Sequence, residues 1–491
     1  MNPVQDPVRR VCPGTLLVAF CVLALAGGAV AGLKEGIEQY KQGKLDAAIA
    51  TITQAVEANP KDADARRWLG FVLLKKMDYA GALEHLQQAS ALGADTPELR
   101  NNLGMAYLGT GDLQRAAAEL ERAVSMRRNW PEALYNLGNA YLRGKQYEKA
   151  AESYRKAAVL APRDANIQNN LGLALQELGR HQEAAVAFGK AADLDPSNVD
   201  MMVNLGLALR ASNNLSGAQA AFEKAVAADP NSYGAQVGLA EVLAARGKDE
   251  LALARYQAAA ALRPNEFAPN YNQGVMLTKL ARFGKAVDAF TAALKINPED
   301  IEAATYLGWS LFKSGKPDEG IRYLEQAVAK DPKFKPAWLN LATAYTAQEK
   351  HSDAIRAWES VLGLDPSNLG AAINLGNEYL RDNKPDKAEA AYMKAVAIDA
   401  DSAEAHFGLA AAYSAQKQPE KAIAEYRKAI TVNPRMASAY NNLGVELEKV
   451  GKVPEAIEQY RKALQVDPAN KDARNNLDRF HRKTETSGPA S

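Results

Sequence analysis

The chain has 491 residues with 59 Lys and Arg against 58 Asp and Glu, which gives a net charge of +1. Its length would ordinarily suggest about three domains. The even mixture of charges argues against a nucleic-acid-binding protein, which needs a basic stripe. Both cysteines, Cys12 and Cys21, lie in the first 31 residues, so we expect no disulfide bond to stabilise the fold.

Residues 1–31 have the composition of a targeting segment. Two arginines precede a charge-free run over 11–33, and Ala29 and Ala31 form an A-x-A pattern of small residues. This arrangement is typical of a bacterial secretory signal peptide cleaved after Ala31. An uncleaved anchor is the competing interpretation, because a run of 23 uncharged residues is long enough to span a bilayer.

A lipoprotein is the third possibility, although Phe20 precedes Cys21 where a lipid-attachment box has a small residue. All three interpretations predict a periplasmic or other extracytoplasmic location, with or without an anchor in the inner membrane. Contact with a membrane is expected only through this segment.

Beyond residue 31, one pattern recurs every 34 residues, and a fixed period of this length indicates a stacked helical repeat array. The repeat-ending prolines show the period most clearly: Pro60, Pro162, Pro196, Pro230, Pro264, Pro298, Pro332, Pro366, Pro434 and Pro468. Ala94, Arg128 and Ala400 replace the proline in the remaining repeats. Since Pro97 and Pro131 follow the first two, we expect the junction at 399–402 to be the least rigid.

The repeat over 165–198 predicts a helical hairpin. Leu171 and Leu175 have helical spacing in its first half, and Ala184, Phe188 and Ala191 repeat that spacing in its second half. A turn near Gly179 joins the two helices. The predicted N-cap residues of the first helices are Asp62, Thr96, Asp164, Asn198, Ser232, Asp300, Asn368, Ser402 and Asn470.

Small and large residues alternate at fixed positions of the repeat. The position of Gly172 is Gly or Ala in every unit, and that of Ala184 is Ala except for Gly320. The position of Phe188 always holds a large side chain. We therefore expect the two helices of a hairpin to approach closely at the small residues, because a bulky side chain there would overpack.

These residues make the chain resemble the tetratricopeptide repeat family. The resemblance implies an all-α fold, a right-handed superhelical solenoid of stacked helix-turn-helix hairpins. Twelve intact units are expected over 63–470, preceded by a degenerate repeat at 32–62. A capping helix is expected at 471–483, followed by a disordered tail at 484–491.

Asparagine recurs two residues before the small Gly or Ala of the first helix, where the resemblance implies a concave inner face. An amide offers donors and acceptors that suit a peptide main chain. The arrangement is similar to the asparagine ladder of O-linked N-acetylglucosamine transferases, which holds extended peptides. The alternative is that Asn is simply the family's usual residue. The predicted peptide-binding residues are Asn102, Asn136, Asn170, Asn204, Asn272, Asn340, Asn374 and Asn442.

No pattern in the sequence indicates catalysis. The five histidines lack metal-ligand spacing, and no nucleophile elbow or phosphate-binding loop is present. We therefore expect no enzyme, no cofactor and no metal site.

The sequence favours a scaffold of the bacterial cell envelope that binds proteins or extended peptides and does not bind nucleic acid. The alternatives are the substrate-recognition arm of a glycosyltransferase system and an assembly factor for a motility or secretion complex. We expect the uninterrupted row from Asn102 to Asn204 to hold a peptide better than the row interrupted at Gly238, Tyr306 and Gly408. Nothing in the sequence indicates the oligomeric state or names the partner.

Overall fold

The computed structural model describes residues 27–486, with side chains over 31–479. This part of the chain contains twenty-seven α-helices and no strand, which confirms the predicted all-α class and the tandem hairpins. The helices form two compact units, the first ending at Leu262 and the second beginning at Arg263.

Unit 1 consists of seven hairpins, each with a first and a second helix. Neighbouring first helices in this unit contact each other along most of the series, in addition to their own second helices. The first helices therefore line one side of the unit. The helices are α1 Gly27–Lys41, α2 Leu45–Ala58, α3 Ala63–Lys75, α4 Tyr79–Ala91, α5 Pro97–Thr110, α6 Leu113–Met126, α7 Pro131–Arg143, α8 Tyr147–Leu160, α9 Ala165–Glu177, α10 His181–Leu194, α11 Val199–Ala211, α12 Leu215–Ala228, α13 Tyr233–Ala245 and α14 Asp249–Leu262.

Unit 2 repeats the same arrangement in six hairpins and ends with one additional first helix. Its helices are α15 Phe267–Lys279, α16 Phe283–Ile296, α17 Ile301–Lys313, α18 Pro317–Lys330, α19 Lys335–Ala347, α20 His351–Leu364, α21 Leu369–Arg381, α22 Pro385–Ile398, α23 Ala403–Ala415, α24 Pro419–Val432, α25 Ala437–Lys449, α26 Val453–Val466 and α27 Lys471–Thr486.

The first helices begin where the sequence predicts. All nine predicted N-cap side chains accept a hydrogen bond from the main-chain N–H three residues further on, at 2.7–3.4 Å. Each bond satisfies a donor that has no partner inside the helix. Pro97 and Pro131 occupy the first turns of α5 and α7, where a missing N–H costs nothing.

The turn inside each hairpin depends on one residue with positive φ. Gly179 has a φ of 70°, and the equivalent Asn213 and Ala281 have φ values of 62° and 54°. The left-handed conformation reverses the chain direction within three residues, so the second helix packs back on the first. The second helix α10 consequently begins at His181, directly after this turn.

The small residues of the first helices lie under the large residues of the second helices, as predicted. A Cβ atom added to Gly172 would lie 2.7 Å from the Phe188 ring, and one added to Gly104 would lie 2.4 Å from Leu120. Phe188 and Leu120 are fully buried. In these hairpins, a large side chain of the second helix therefore fills the space beside the glycine of the first helix, which has no side chain.

Gly320, the exception at the Ala184 position, marks the closest helix approach in its hairpin. A Cβ on Gly320 would lie 2.5 Å from the Gly308 carbonyl oxygen and 2.7 Å from the Phe312 nitrogen. The obstruction is main chain rather than a flexible side chain, so even alanine does not fit between α17 and α18 without moving a helix.

The two ends of the described chain continue the repeat pattern. The segment predicted as a degenerate repeat forms the hairpin α1–α2, in which Gly36 lies beneath Ile52. The last helix continues to Thr486 rather than ending at 483, because no glycine or proline interrupts it before Gly488. No helix within 27–486 is long and apolar enough to cross a membrane. Most of the predicted signal segment, and the tail from 487 on, lie outside the described residues.

Candidate peptide-binding face

The eight predicted asparagines, here called the asparagine row, all lie on first helices. Asn102, Asn136, Asn170 and Asn204 belong to unit 1, and Asn272, Asn340, Asn374 and Asn442 belong to unit 2. Each follows the large residue of the preceding second helix by 16 positions; Asn442, for example, donates to the Tyr426 hydroxyl at 3.4 Å. The row therefore faces the preceding repeat.

In unit 1, the amides of the row form hydrogen bonds between neighbouring repeats. Asn136 Nδ2 donates to Asn101 Oδ1 at 3.0 Å, and Asn204 Nδ2 donates to Asn169 Oδ1 at 3.0 Å. Asn170 Nδ2 donates to the Tyr135 hydroxyl at 3.1 Å. In each bond, the acceptor residue lies 35 positions before the donor in the sequence. It is therefore the residue immediately before the row asparagine of the preceding repeat.

The same amides are almost removed from solvent. Asn102, Asn136 and Asn170 are 5–6% exposed, and Asn204 is 9% exposed. A buried amide that already has protein partners presents little hydrogen-bonding surface to a ligand. Three of the four row amides in unit 1 thus serve the contact between repeats. The burial of all four weighs against the expectation that this row holds a peptide better than the row in unit 2.

The residue 35 positions earlier supplies a hydrogen-bond partner to several of the row amides. Asn101, Tyr135 and Asn169 supply an acceptor in unit 1, and Asn441 supplies one for Asn476 at 3.0 Å on the final helix. For Asn374 and Asn442 the corresponding residues are Leu339 and Phe407, whose side chains have no acceptor, and Asn442 bonds to the Tyr426 hydroxyl instead. Thr305 precedes Asn340, but its hydroxyl donates to the Ile301 carbonyl at 2.8 Å.

Three amides in unit 2 consequently remain available. Asn272, Asn340 and Asn374 are partly exposed, and no side-chain hydrogen bond joins them to any other described residue. Asn340 and Asn374 occupy successive repeats, on α19 and α21. These two side chains combine the accessibility and the unpaired donors and acceptors that recognition of a peptide requires.

The three interruptions of the row lie against large side chains of the preceding second helix. A Cβ on Gly238 would lie 2.3 Å from the Phe222 ring, and one on Gly408 would lie 2.1 Å from the Tyr392 ring. Tyr306 instead stacks on Phe290 with ring centroids 5.6 Å apart. The interruptions therefore follow from packing between repeats.

Two further polar residues lie one helical turn beyond Asn340 and Asn374, and sequence reasoning missed them. Thr343 is exposed on α19, and Asn377 is partly exposed on α21. The Asn377 Oδ1 atom accepts from the Tyr392 hydroxyl at 2.6 Å, which leaves its NH2 group for another acceptor. With the two row amides they form an uncharged polar patch of four residues. Reading the three-residue helical spacing from each row member would have found both.

The corresponding surface of unit 1 is a buried polar network, in which Asn139 Nδ2 has no hydrogen-bond partner among the described residues. Asn139 is 1% exposed, and its Oδ1 accepts from the Tyr154 hydroxyl at 2.6 Å and from Asn170 at 3.0 Å. Burial raises the pKa of Tyr135 to about 12, although its bonds to Asn139 and Asn170 act in the opposite direction. The network contains only neutral groups, and it fastens one repeat to the next.

The described residues contain no group of three or more His, Cys, Asp or Glu side chains that could hold a metal ion. The four side chains of the polar patch are uncharged, and the chemistry they offer is hydrogen bonding.

Three protein-family models, each described as tetratricopeptide repeat, match the chain. One matches 33–97, 72–133, 101–165, 135–199, 203–267 and 305–368; the others match 269–300 and 369–402, and 403–436 and 437–470. A comparison with the curated proteins gave no match.

Several solved structures are similar to parts or most of the chain. YrrB, described as a TPR protein with an unusual peptide-binding site, has 20% identity over 39% of this chain and 99% of its own, with a TM-score of 0.36. MamA has 26% identity over 33% of this chain and 95% of its own, with a TM-score of 0.32. The APC/C hetero-tetramer Cut9–Hcn1 has 16% identity over 93% and 91%, with a TM-score of 0.33.

Proposed function

Because the chain belongs to the tetratricopeptide repeat family, we propose that it is a non-enzymatic scaffold whose first helices bind an extended segment of a partner protein. The observation that carries this proposal is the pair of unpaired, partly exposed amides at Asn340 and Asn374 on successive first helices. Buried polar groups in folded proteins nearly always have partners, whereas these two remain free and accessible.

The geometry of the patch suits a polypeptide main chain. Packed helices lie about 8–10 Å apart, and an extended chain rises about 3.3 Å per residue, so the two amides would meet main-chain groups roughly three residues apart. Each amide donates and accepts, as each peptide group does. Because the four side chains of the patch are uncharged, the segment is held by its main chain rather than by charged side chains.

The scaffold is proposed to act in the bacterial cell envelope. The support is the N-terminal sequence, with two arginines, an apolar run and the small residues Ala29 and Ala31. Both the cleaved signal peptide and the retained anchor lead to the same compartment. A glycosyltransferase arm that uses a continuous amide row is less well supported, since three of the four row amides in unit 1 are bonded to neighbouring repeats.

The proposal is tested by selecting ligands for the full chain from a displayed library of random peptides. The selected peptides are then synthesised with single N-methyl groups on their main-chain amides, which remove one donor at a time and keep the side chains. Recognition of the main chain predicts loss of binding at positions about three residues apart. Binding that tolerates every N-methyl group, or a library that yields no ligand, would contradict the proposal.

A further inference from the structure

The junction between α22 and α23 is the one predicted to be least rigid, because Ala400 replaces the repeat-ending proline and no proline follows at the start of the next helix. The structure places a histidine at this junction. His406 on α23 is 5% exposed, and its Nε2 atom lies 3.0 Å from the Ala400 carbonyl oxygen. The imidazole thus contacts the main chain at the position where other repeats have a proline.

The opposite edge of the ring contacts a carboxylate. His406 Nδ1 lies 2.6 Å from Glu425 Oε2 on α24. The other carboxylate oxygen, Glu425 Oε1, accepts from Lys428 Nζ at 2.7 Å. His406 therefore connects the loop before its own helix to the second helix of its hairpin.

Other repeats make the same connection with side chains that do not titrate near neutral pH. Gln236 Nε2 donates to the Pro230 carbonyl at 2.8 Å, and Arg255 donates to Gln236 Oε1 at 3.5 Å. Trp338 Nε1 donates to the Pro332 carbonyl at 2.9 Å. Gln236 in particular has the same sequence separation from both partners as His406 has.

We infer that His406 is a pH-sensitive clamp that holds the junction at 399–402 only while both of its ring nitrogens are protonated. A carbonyl oxygen and a carboxylate oxygen only accept hydrogen bonds, so each ring nitrogen must donate. A neutral imidazole has one N–H. When rising pH transfers one of the two protons to water, one of the two bonds is lost, either to the loop or to α24.

The charged groups near the His406 ring belong to α24 and to the loop before α23. On α24 they are Glu425 and its partner Lys428. In the loop, Asp399 and Asp401 are exposed, and Asp399 Oδ1 accepts from the Asp401 main-chain N–H at 3.0 Å. From α22, the uncharged Tyr392 ring packs against α23 at Gly408. Among the hydrogen bonds and ion pairs of the described residues, the Glu425 carboxylate is the charged group that contacts the ring.

Hydrogen exchange in the full chain tests the clamp, with each rate divided by its intrinsic rate at the same pH. Between pH 6 and 9, protection over 399–408 should fall about tenfold, as expected for one hydrogen bond to a charged group. Protection over 229–238, which contains the Gln236 clamp, should remain constant. The variant His406→Gln should show a flat profile in both segments.

Two results would overturn the inference. One is a pH profile over 399–408 that is the same in His406→Gln and in the wild type. The other comes from 15N-histidine NMR of the wild type, which does not depend on the folding of a variant: a His406 ring with a single protonated nitrogen at pH 6 contradicts the clamp. A ring with two protonated nitrogens at pH 6 and one at pH 9 supports it.

Discussion

Replacing Asn170 with Ala should destabilise the contact between the repeats of α7 and α9, whereas replacing Asn374 with Ala should not affect stability. Asn170 donates to Tyr135 at 3.1 Å and to Asn139 at 3.0 Å in a buried site. At about 0.5–1.5 kcal/mol for each bond, the loss is about 1–3 kcal/mol. Asn374 has no such bond and is partly exposed, so its removal should change stability by less than about 0.5 kcal/mol.

The assay is hydrogen exchange of the full chain, because repeat arrays open locally and a single global unfolding energy is poorly defined. Asn170→Ala should accelerate exchange in α7 and α9 by roughly 5- to 150-fold, which is the equivalent of 1–3 kcal/mol. Exchange in α19 and α21 should remain unchanged. Two results would refute the conclusion that Asn170 is bonded and Asn374 is free. One is that Asn374→Ala accelerates exchange in its own repeats as much as Asn170→Ala does, and the other is that Asn170→Ala does not accelerate exchange.

Three further predictions follow from packing, burial and export. Gly320→Ala should cost more stability than Ala158→Gly, a change of one methyl group on another second helix. The reason is that a Cβ at Gly320 would lie 2.5 and 2.7 Å from main-chain atoms. Thermal unfolding compares the two variants, and an equal loss of stability would contradict the close approach of the helices. Burial raises the pKa of Tyr426 to about 12, above the usual value of about 10, so its stabilising effect is present below pH 10 and is lost as pH rises to 12. Tyr426→Phe should therefore lose less stability than the wild type between pH 10 and 12. The phenolate absorbance of the wild type minus that of Tyr426→Phe isolates this residue, and a difference that already appears at pH 10 in the folded proteins would contradict the prediction. Ala31→Tyr should block signal cleavage, which N-terminal sequencing checks; a wild-type chain that begins at Met1 favours the anchor.

The hairpins were predictable because their causes are local in sequence. Helical spacing, N-cap side chains and the small residues opposite Phe188 all act within one repeat of 34 residues. The nine predicted caps and the close contact of Gly172 with Phe188 are confirmed. The division into two units at Leu262 has no signal in the repeat pattern, which runs through that residue without insertion.

The state of the asparagine row was not predictable from the row itself. Asn170 and Asn374 are the same residue at the same position, yet one is bonded and the other is free. The difference comes from Tyr135 and Leu339, each 35 residues earlier and on the neighbouring first helix. Pairing each asparagine with that residue would have found the difference. The left-handed turn at Ala281 was also unpredictable, because alanine rarely adopts this conformation.

The most direct test of the account is calorimetric titration of a library-selected peptide into the double variant Asn340→Ala/Asn374→Ala. The control is the double variant Asn136→Ala/Asn204→Ala, and each variant is also melted. If each free amide contributes about 0.5–1.5 kcal/mol, the first variant should bind roughly 5- to 150-fold more weakly and melt as the wild type does. The control should melt earlier and retain the wild-type affinity. Unchanged affinity in the first variant, with its melting also unchanged, would contradict recognition of the peptide by this face.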